Sequence, residues 1–256
     1  MSTSVTFDSN VWEVIVDEDK RNASDSIYTK LYELIKDGTI IPYFFEGLST
    51  IETTRKSDRK EFYSNYKAGF SMSVDGEEVF SDPGSGGPIV SDYLNRMVPK
   101  AIELGFRFTK LPRIGAPQSN IPEDYWAADT KYSMAERQER SFKCAEYIES
   151  LGAGKGKVLN ELETGTDGLV QRTKNDTTMT NNKYSKAVGE WADGDALAAN
   201  YGYGIEYFCT NDRASGAGRS SIFHPSNLQQ LEQRYPVNVV SPEDLIQALG
   251  NRYETH

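Results

Sequence analysis

Apolar positions along the chain follow two recurring patterns, which predict short strands and longer amphipathic helices. Residues 5–7 and 39–45 are β-rich runs. Between them, apolar side chains at helical spacing predict a helix over residues 27–36, which Asp37-Gly38 ends. A further helix is predicted directly after the second strand, from about residue 49 to residue 66.

The second half of the chain continues this alternation of strands and helices. In chain order, the pattern predicts helices over about 131–151 and 184–200, a strand over 205–210, a helix over 227–234, a strand over 237–240 and a helix that begins at Ser241-Pro242-Glu243. Strands that alternate with helices are typical of a parallel sheet with right-handed crossovers. We therefore expect an α/β fold with a central, mainly parallel sheet.

The middle of the chain interrupts the alternation. From about residue 67 to residue 123 the sequence is rich in Gly, Pro and Ser, with a short helix predicted near 92–104. We interpret this range as a mostly irregular or helical insertion within a single domain of residues 1–256. The segment Gly84-Ser85-Gly86-Gly87 superficially suggests a phosphate cradle, but no Lys-Ser or Lys-Thr pair follows it, so it is interpreted as a loop. Residues 164–183 are polar, and Thr177-Thr178-Met179-Thr180-Asn181-Asn182 within them are interpreted as a mobile loop.

Composition supports one globular unit and argues against a membrane protein and against a non-specific nucleic-acid-binding protein. The chain has 256 residues, of which 38% are hydrophobic, which is enough to form the core of one α/β domain. No apolar stretch approaches the roughly 20 residues of a membrane span, and the N-terminus lacks a basic region followed by an apolar one. We therefore expect a cytoplasmic protein without a membrane partner. The formal charge of −10 argues against non-specific nucleic-acid binding through the overall field, but it leaves room for a local basic track beside an acidic site.

Cysteine and histidine give no sign of a zinc site or of a disulfide framework. Cys144 and Cys209 each lie in an apolar segment without metal-type spacing, which favours buried thiols. His224 and His256 are too few and too far apart to form a zinc site.

Acidic residues stand where predicted strands end. Asp8 follows the strand at 5–7, Asp212 follows the strand at 205–210, and Asp195 lies on the helix before that strand. The carboxyl ends of strands are where open α/β sheets bind ligands. Clustered carboxylates disfavour each other's ionisation, and a hard divalent cation relieves that repulsion. The pattern therefore suggests one metal site.

Four segments together resemble the PIN domain family. They are Phe7-Asp8-Ser9-Asn10, Asp195-Ala196-Leu197-Ala198-Ala199, Thr210-Asn211-Asp212-Arg213 and residues 236–249, and the match covers about residues 1–65 and 137–256. PIN domains are α/β metal-dependent nucleases, found among the ribonuclease toxins of toxin-antitoxin pairs and among RNA-processing enzymes. The resemblance implies a PIN-like three-layer α/β/α fold, here with a large insertion.

The resemblance also implies an acidic residue on the helix after the second strand. Glu52 fits that place, and Glu46, at the end of the strand, is the competitor. Asp193 lies two residues from Asp195, about 200° around a helix, so it is interpreted as a solvated or capping residue.

The family's chemistry assigns roles to these residues as expectations. One or two Mg²⁺ or Mn²⁺ ions would stabilise the charge that develops during phosphodiester hydrolysis and would lower the pKa of the attacking water. The expected catalytic and metal-binding residues are Asp8, Glu52, Asp195 and Asp212; the expected neutral hydrogen-bonding neighbours are Asn10 and Thr210; and the expected phosphate contacts are Arg213 and Arg55 or Lys56.

Three functions are consistent with these patterns. The first is a metal-dependent endoribonuclease that cleaves RNA, most simply single-stranded RNA. The second is a catalytically silent PIN-like module that binds RNA or protein, and the third is a metal-dependent phosphoesterase acting on DNA or on small phosphate esters. The partners implied by the resemblance are RNA, an antitoxin or other protein inhibitor, and a second copy of the chain in a homodimer.

Overall fold

The fold was analysed in a computed structural model, which describes residues 2–50, 52–54, 58–59, 61, 70–74, 77–82, 90–111, 121–128, 130–154, 181–212 and 218–254. The strands are β1 Thr3–Phe7, β2 Ile40–Phe45, β3 Phe70–Val74, β4 Glu77–Asp82, β5 Arg107–Thr109, β6 Tyr207–Cys209 and β7 Val239–Val240. The α-helices are α1 Ser9–Val16, α2 Glu18–Asn22, α3 Ser26–Lys36, α4 Asp92–Glu103, α5 Met134–Ser150, α6 Asn181–Tyr203, α7 Pro225–Arg234 and α8 Pro242–Glu254. Short 3₁₀ helices span Glu46–Ser49, Glu123–Tyr125 and Gly218–Ser220.

Five strands form one sheet in the order β5-β2-β1-β6-β7, and every pairing within it is parallel. The predicted parallel α/β architecture is therefore confirmed. From β1 the chain first builds outward through β2 and β5, and it then returns to the other side of β1 to add β6 and β7. The order reverses between β1 and β6, which is the position where open α/β sheets form a crevice at their carboxyl ends.

Adjacent residues of β2 show that the sheet is covered on both faces. Phe44 packs in a cluster with residues of α1, α3, α4 and α8, whereas Phe45 packs with residues of α5, α6 and α7. Since neighbouring side chains of a strand point to opposite faces, the two clusters lie on opposite sides of the sheet. Cys144 and Cys209 are buried free thiols, as predicted. In the part of the chain that the structure describes, no helix is both long and apolar enough to cross a membrane.

Two glycines bring α6 close to α5 and thereby fix its rotation. A Cβ atom at Gly202 would lie 1.8 Å from Ser141 Oγ, and one at Gly194 would lie 2.8 Å from Gly154 Cα. Any larger residue at either position would push the helices apart. With these two glycines turned toward α5 and its C-terminal turn, the remaining faces of α6 are available to the sheet and to the segment after β2.

The helix predicted from residue 49 to residue 66 does not begin as predicted. The chain instead forms the 3₁₀ helix Glu46–Ser49, and the described residues 52–54 are not helical. Thr50 Oγ1 donates to Glu46 O at 3.2 Å, and Thr53 Oγ1 donates to Leu48 O at 2.8 Å. These hydroxyls occupy carbonyls that a regular helix would use, which is how Ser and Thr compete with helical hydrogen bonding.

The range 67–123 contains more regular structure than the sequence pattern indicates. Strands β3 and β4 form an antiparallel hairpin within it, which corrects the expectation of a mostly irregular or helical insertion. Helix α4 confirms the predicted short helix, and β5 joins the edge of the central sheet beside β2. With three residues, β5 is too short to produce a recognisable pattern. The glycine-rich segment at 84–87 and most of the polar segment 164–183 lie outside the described residues.

Candidate functional site

Asp8 lies at the end of β1 and is held by hydrogen bonds from both sides. Its backbone N–H donates to Cys209 O at 3.0 Å, which places it beside the end of β6. Its Oδ1 accepts from the backbone N–H of Ser9 at 2.6 Å and so caps α1. Its Oδ2 accepts from Thr210 Oγ1 at 2.6 Å and from Asn10 Nδ2 at 2.7 Å. The carboxylate is therefore fixed at the point where the strand order reverses.

The segment after β6 is joined to the start of α1 by a small polar network. The backbone N–H of Asp212 donates to Thr210 Oγ1 at 2.9 Å, and the backbone N–H of Asn211 donates to Asn10 Oδ1 at 2.9 Å. Asn10 and Thr210 thus hold Asp8 and Asp212 in neighbouring positions.

Glu52 reaches the same place from the turn that follows the 3₁₀ helix at 46–49. Its backbone N–H donates to Gly47 O at 2.8 Å, and its Oε2 accepts from Ser9 Oγ at 3.2 Å. Ser9, whose backbone N–H also donates to Asp8 Oδ1, therefore links the carboxylates of Glu52 and Asp8. The structure thus brings Glu52 beside Asp8, although on a turn and not on the predicted helix.

A further carboxylate lies beside those of Asp8 and Glu52, and it belongs to Asp193 and not to Asp195. It borders a small pocket between β1 and α6, whose lining residues are Thr6, Phe7, Asp8, Ser9, Phe45, Leu48, Glu52, Ala192, Asp193, Ala196 and Phe208. Among the described residues, no hydrogen-bond donor contacts the Asp193 carboxylate. The expectation that Asp193 points away from the acidic site is corrected.

Asp195 lies on a different side of α6 and has a different partner. It is 1% exposed, and its Oδ2 accepts a 2.8 Å hydrogen bond from Trp191 Nε1. Positions 193 and 195 differ by about 200° around a helix, so only one of them can face the pocket. The structure therefore brings Asp193, and not the expected Asp195, to the pocket that Asp8 lines, while the difference in phase between the two acids is as expected.

Glu46 belongs with Asp195 and not with the pocket. Its Oε1 accepts from the backbone N–H of Leu111 at 3.0 Å, beyond the end of β5. Burial raises the pKa of Glu46 to about 7, the positive charge of Lys110 opposes that rise, and the nearby charge of Asp195 adds to it. The competitor for the Glu52 position thus lies in a second, more deeply buried acidic environment.

Burial and mutual repulsion act on the carboxyls of the pocket. Burial is the main cause that raises the pKa of Asp193 well above its ordinary value, and the charges of Asp8, Glu52, Glu190 and Asp212 raise it further. Burial is also the main cause that raises the pKa of Glu52, and the charge of Asp8 raises it further. Burial also raises the pKa of Asp8, partly opposed by its hydrogen bond from Thr210. Protonation or a bound cation would relieve this repulsion.

The chemistry of the pocket fits a hard divalent cation. Its charged groups are carboxylates, which are the ligands that Mg²⁺ and Mn²⁺ prefer. Thr6 lines the same pocket, is 1% exposed, and its Oγ1 is a buried oxygen without a hydrogen-bond partner. Among the residues that the structure describes, no three His, Cys, Asp or Glu side chains already stand as a group that could hold an ion. Binding would therefore require side-chain adjustment within the pocket.

The expected phosphate contacts lie outside the described residues; they are Arg55, Lys56 and Arg213. Among the described residues, the cation Arg59 acts on the pocket, because its charge lowers the pKa of Glu52.

Comparisons of this chain with protein-family models, with curated proteins and with solved structures find no match.

Proposed function

We propose that this chain is a divalent-metal-dependent nuclease with a PIN-like fold, which hydrolyses phosphodiester bonds of single-stranded RNA. The observation that supports it is the convergence of the carboxyl groups of Asp8, Glu52, Asp193 and Asp212 at the switch point between β1 and β6. Structural ion pairs combine opposite charges, whereas this group consists of acids that repel one another. Such an arrangement is expected where a cation binds.

Each acid has a distinct environment within the proposed centre. When bound, Mg²⁺ or Mn²⁺ would stabilise charge on the phosphate oxygens and lower the pKa of the attacking water. Thr210 and Asn10 orient Asp8, and Ser9 orients Glu52, so these two carboxylates would be the fixed ligands. Asp193 accepts no hydrogen bond within the described chain, so both of its oxygens are available to the ion or to the hydrolytic water.

The test is single-turnover cleavage with three substrate classes. Fluorescently labelled single-stranded RNA, single-stranded DNA of the same sequence and an aromatic phosphomonoester are incubated with purified protein in Mn²⁺ or in chelator. We expect cleavage of RNA in Mn²⁺, loss of cleavage in chelator, and loss of cleavage in Asp8→Asn and Asp193→Asn. Asp195→Asn is the matched control, because it removes the same charge two residues away, outside the pocket.

The alternatives predict different results in the same assay. RNA that binds but stays intact under every metal condition would indicate a silent PIN-like binding module. Cleavage of DNA or of the phosphomonoester, with RNA left intact, would indicate a phosphoesterase of another specificity. A small neighbouring reading frame encoding an antitoxin-like protein would favour a toxin over an RNA-processing enzyme.

A further inference from the structure

Arg59 is a buried cation that joins two of the segments forming the pocket. Its side chain is only 5% exposed. Its Nη2 donates to Glu52 O at 3.1 Å, its Nε donates to Thr54 O at 3.0 Å, and its Nη1 donates to Ser185 O at 3.2 Å. Glu52 and Thr54 belong to the turn after the 3₁₀ helix, whereas Ser185 lies on α6, upstream of Asp193. One guanidinium thus connects the turn that carries Glu52 to the helix that carries Asp193.

The geometry of these contacts requires arginine. A guanidinium presents Nε and both Nη groups in a rigid planar fork, so it can donate to three carbonyls that lie in different directions. A lysine ammonium retains the charge, but its donors radiate from a single nitrogen and cannot reach carbonyls spaced in this way. The turn at 52–54 has no helical hydrogen bonding of its own, which makes it dependent on such external contacts.

We infer that Arg59 is a positioning residue, which holds the Glu52 carboxylate in place relative to Asp193 by tying the 52–54 turn to α6. This inference rests on the proposed metal centre. The described hydrogen bonds of Arg59 go to backbone carbonyls, so it would act on a bound ion through Glu52. Its effect on metal affinity should therefore depend on the presence of the Glu52 carboxylate.

A double-mutant cycle tests this dependence. Mn²⁺ affinity is measured by isothermal titration calorimetry for the wild type, Arg59→Lys, Glu52→Gln and the double variant. Arg59→Lys keeps the positive charge, so a change in affinity reports position and not charge. We expect Arg59→Lys to weaken Mn²⁺ binding about tenfold in the wild-type background, the scale typical of residues that orient metal ligands. In the Glu52→Gln background the same substitution should change affinity by less than about twofold.

A matched control separates positioning from general destabilisation. Asn227 is also buried and donates to two backbone carbonyls, those of Arg219 and Ser221, in a segment before α7. Asn227→Ala should lower the free energy of unfolding while leaving Mn²⁺ affinity unchanged. Urea denaturation establishes that each variant is folded. If Arg59→Lys does not fold, the cycle is repeated with Arg59→Gln at two salt concentrations, because this variant also removes the charge and only the part of the effect that salt leaves unchanged reports position.

The outcomes distinguish this inference from the proposed function. If the wild type shows no saturable Mn²⁺ binding, the proposed metal centre is wrong, and the inference falls with it. If the wild type binds Mn²⁺ but the Arg59 substitution has no effect, or has the same effect with and without the Glu52 carboxylate, then Arg59 has only a structural role and the inference alone is overturned.

Discussion

Asp193→Asn and Asp195→Asn form a matched pair that separates a pocket acid from a structural one. Each removes one negative charge from α6 and keeps the size of the side chain. In metal-free protein, Asp193→Asn should increase the free energy of unfolding, because Asp193 is surrounded by like charges. Two unit charges about 8 Å apart at an effective dielectric constant of about 20 repel by roughly 2 kcal/mol, so we expect a gain of about 1–2 kcal/mol. Asp195→Asn should cost about 1 kcal/mol, because Trp191 Nε1 loses its charged acceptor.

The stability gain expected for Asp193→Asn in metal-free protein should depend on pH, and the sign of this dependence follows from the pKa of Asp193. The pKa of Asp193 is raised in the folded protein, so the folded state binds its proton more tightly than the unfolded state does. The stability of the wild type relative to Asp193→Asn is therefore highest below the unfolded-state carboxyl pKa of about 3.9, and it is lost as the pH rises through the higher folded-state pKa. The advantage of the asparagine variant should consequently be present at neutral pH and absent in acid.

Adding Mn²⁺ should remove most of the stability difference between the two variants. At a concentration of about 100 times the dissociation constant, a bound ion stabilises the folded state by about 2.7 kcal/mol. If Asp193→Asn weakens binding about 100-fold, the same concentration gives only about 0.4 kcal/mol. Asp195→Asn should keep the full gain. Urea denaturation followed by tryptophan fluorescence, in chelator and in Mn²⁺, measures all four values. A full Mn²⁺ gain in Asp193→Asn together with its loss in Asp195→Asn would refute the assignment of the pocket.

Three further predictions follow from the same contacts. Asp8→Asn and Asp212→Asn should each reduce single-turnover RNA cleavage in Mn²⁺ by orders of magnitude, because each removes a ligand charge, while circular dichroism shows a retained fold. Cleavage by Asp212→Asn at the wild-type rate would show that the activity comes from a contaminant. Thr210→Ala removes the donor to Asp8 Oδ2 and should lower Mn²⁺ affinity about 10- to 100-fold, whereas Thr210→Ser should restore most of it; calorimetry that gives equal affinities for wild type and Thr210→Ala would argue against this role. Burial raises the pKa of Glu46 to about 7, so the stability of the wild type relative to Glu46→Gln should be highest below about pH 4.5 and lost as the pH rises through 7, a change on the order of 3 kcal/mol in urea denaturation. A difference that stays constant between pH 4 and pH 8 would contradict that shift.

The main architecture could be predicted because its central strands carry strong local signals. β1, β2 and β6 are apolar runs in the sequence, and they form the middle of the parallel sheet. β5 and the β3–β4 hairpin were missed. β5 has only three residues, and its place in the sheet comes from pairing with β2 and not from a pattern of its own. Tertiary pairing of this kind has no local signature.

The acidic site could be predicted in part, and the error lies in the rotation of one helix. Asp8 directly follows β1 and is placed by that strand, and Asp212 lies in the short segment after β6, where its backbone N–H donates to Thr210 Oγ1. On α6 the apolar pattern carries little information about rotation, because residues 194–200 are all buried, between α5 and the sheet. Contacts distant in sequence, such as the close approach of Gly194 to Gly154, set the rotation instead. One local signal existed: a buried Trp191 needs an acceptor, and Asp195, four residues later, is in position to supply it.

The most direct test of the metal centre is the position of Mn²⁺ in crystals of the protein, located by anomalous diffraction. We predict an anomalous peak in contact with the carboxylates of Asp8 and Glu52, with oxygen ligands at about 2.1 Å and with Asp193 and Asp212 in direct or water-mediated contact. A peak beside Glu46 and Asp195, or no peak in the pocket at saturating Mn²⁺, would contradict the proposal that these four acids form the metal centre.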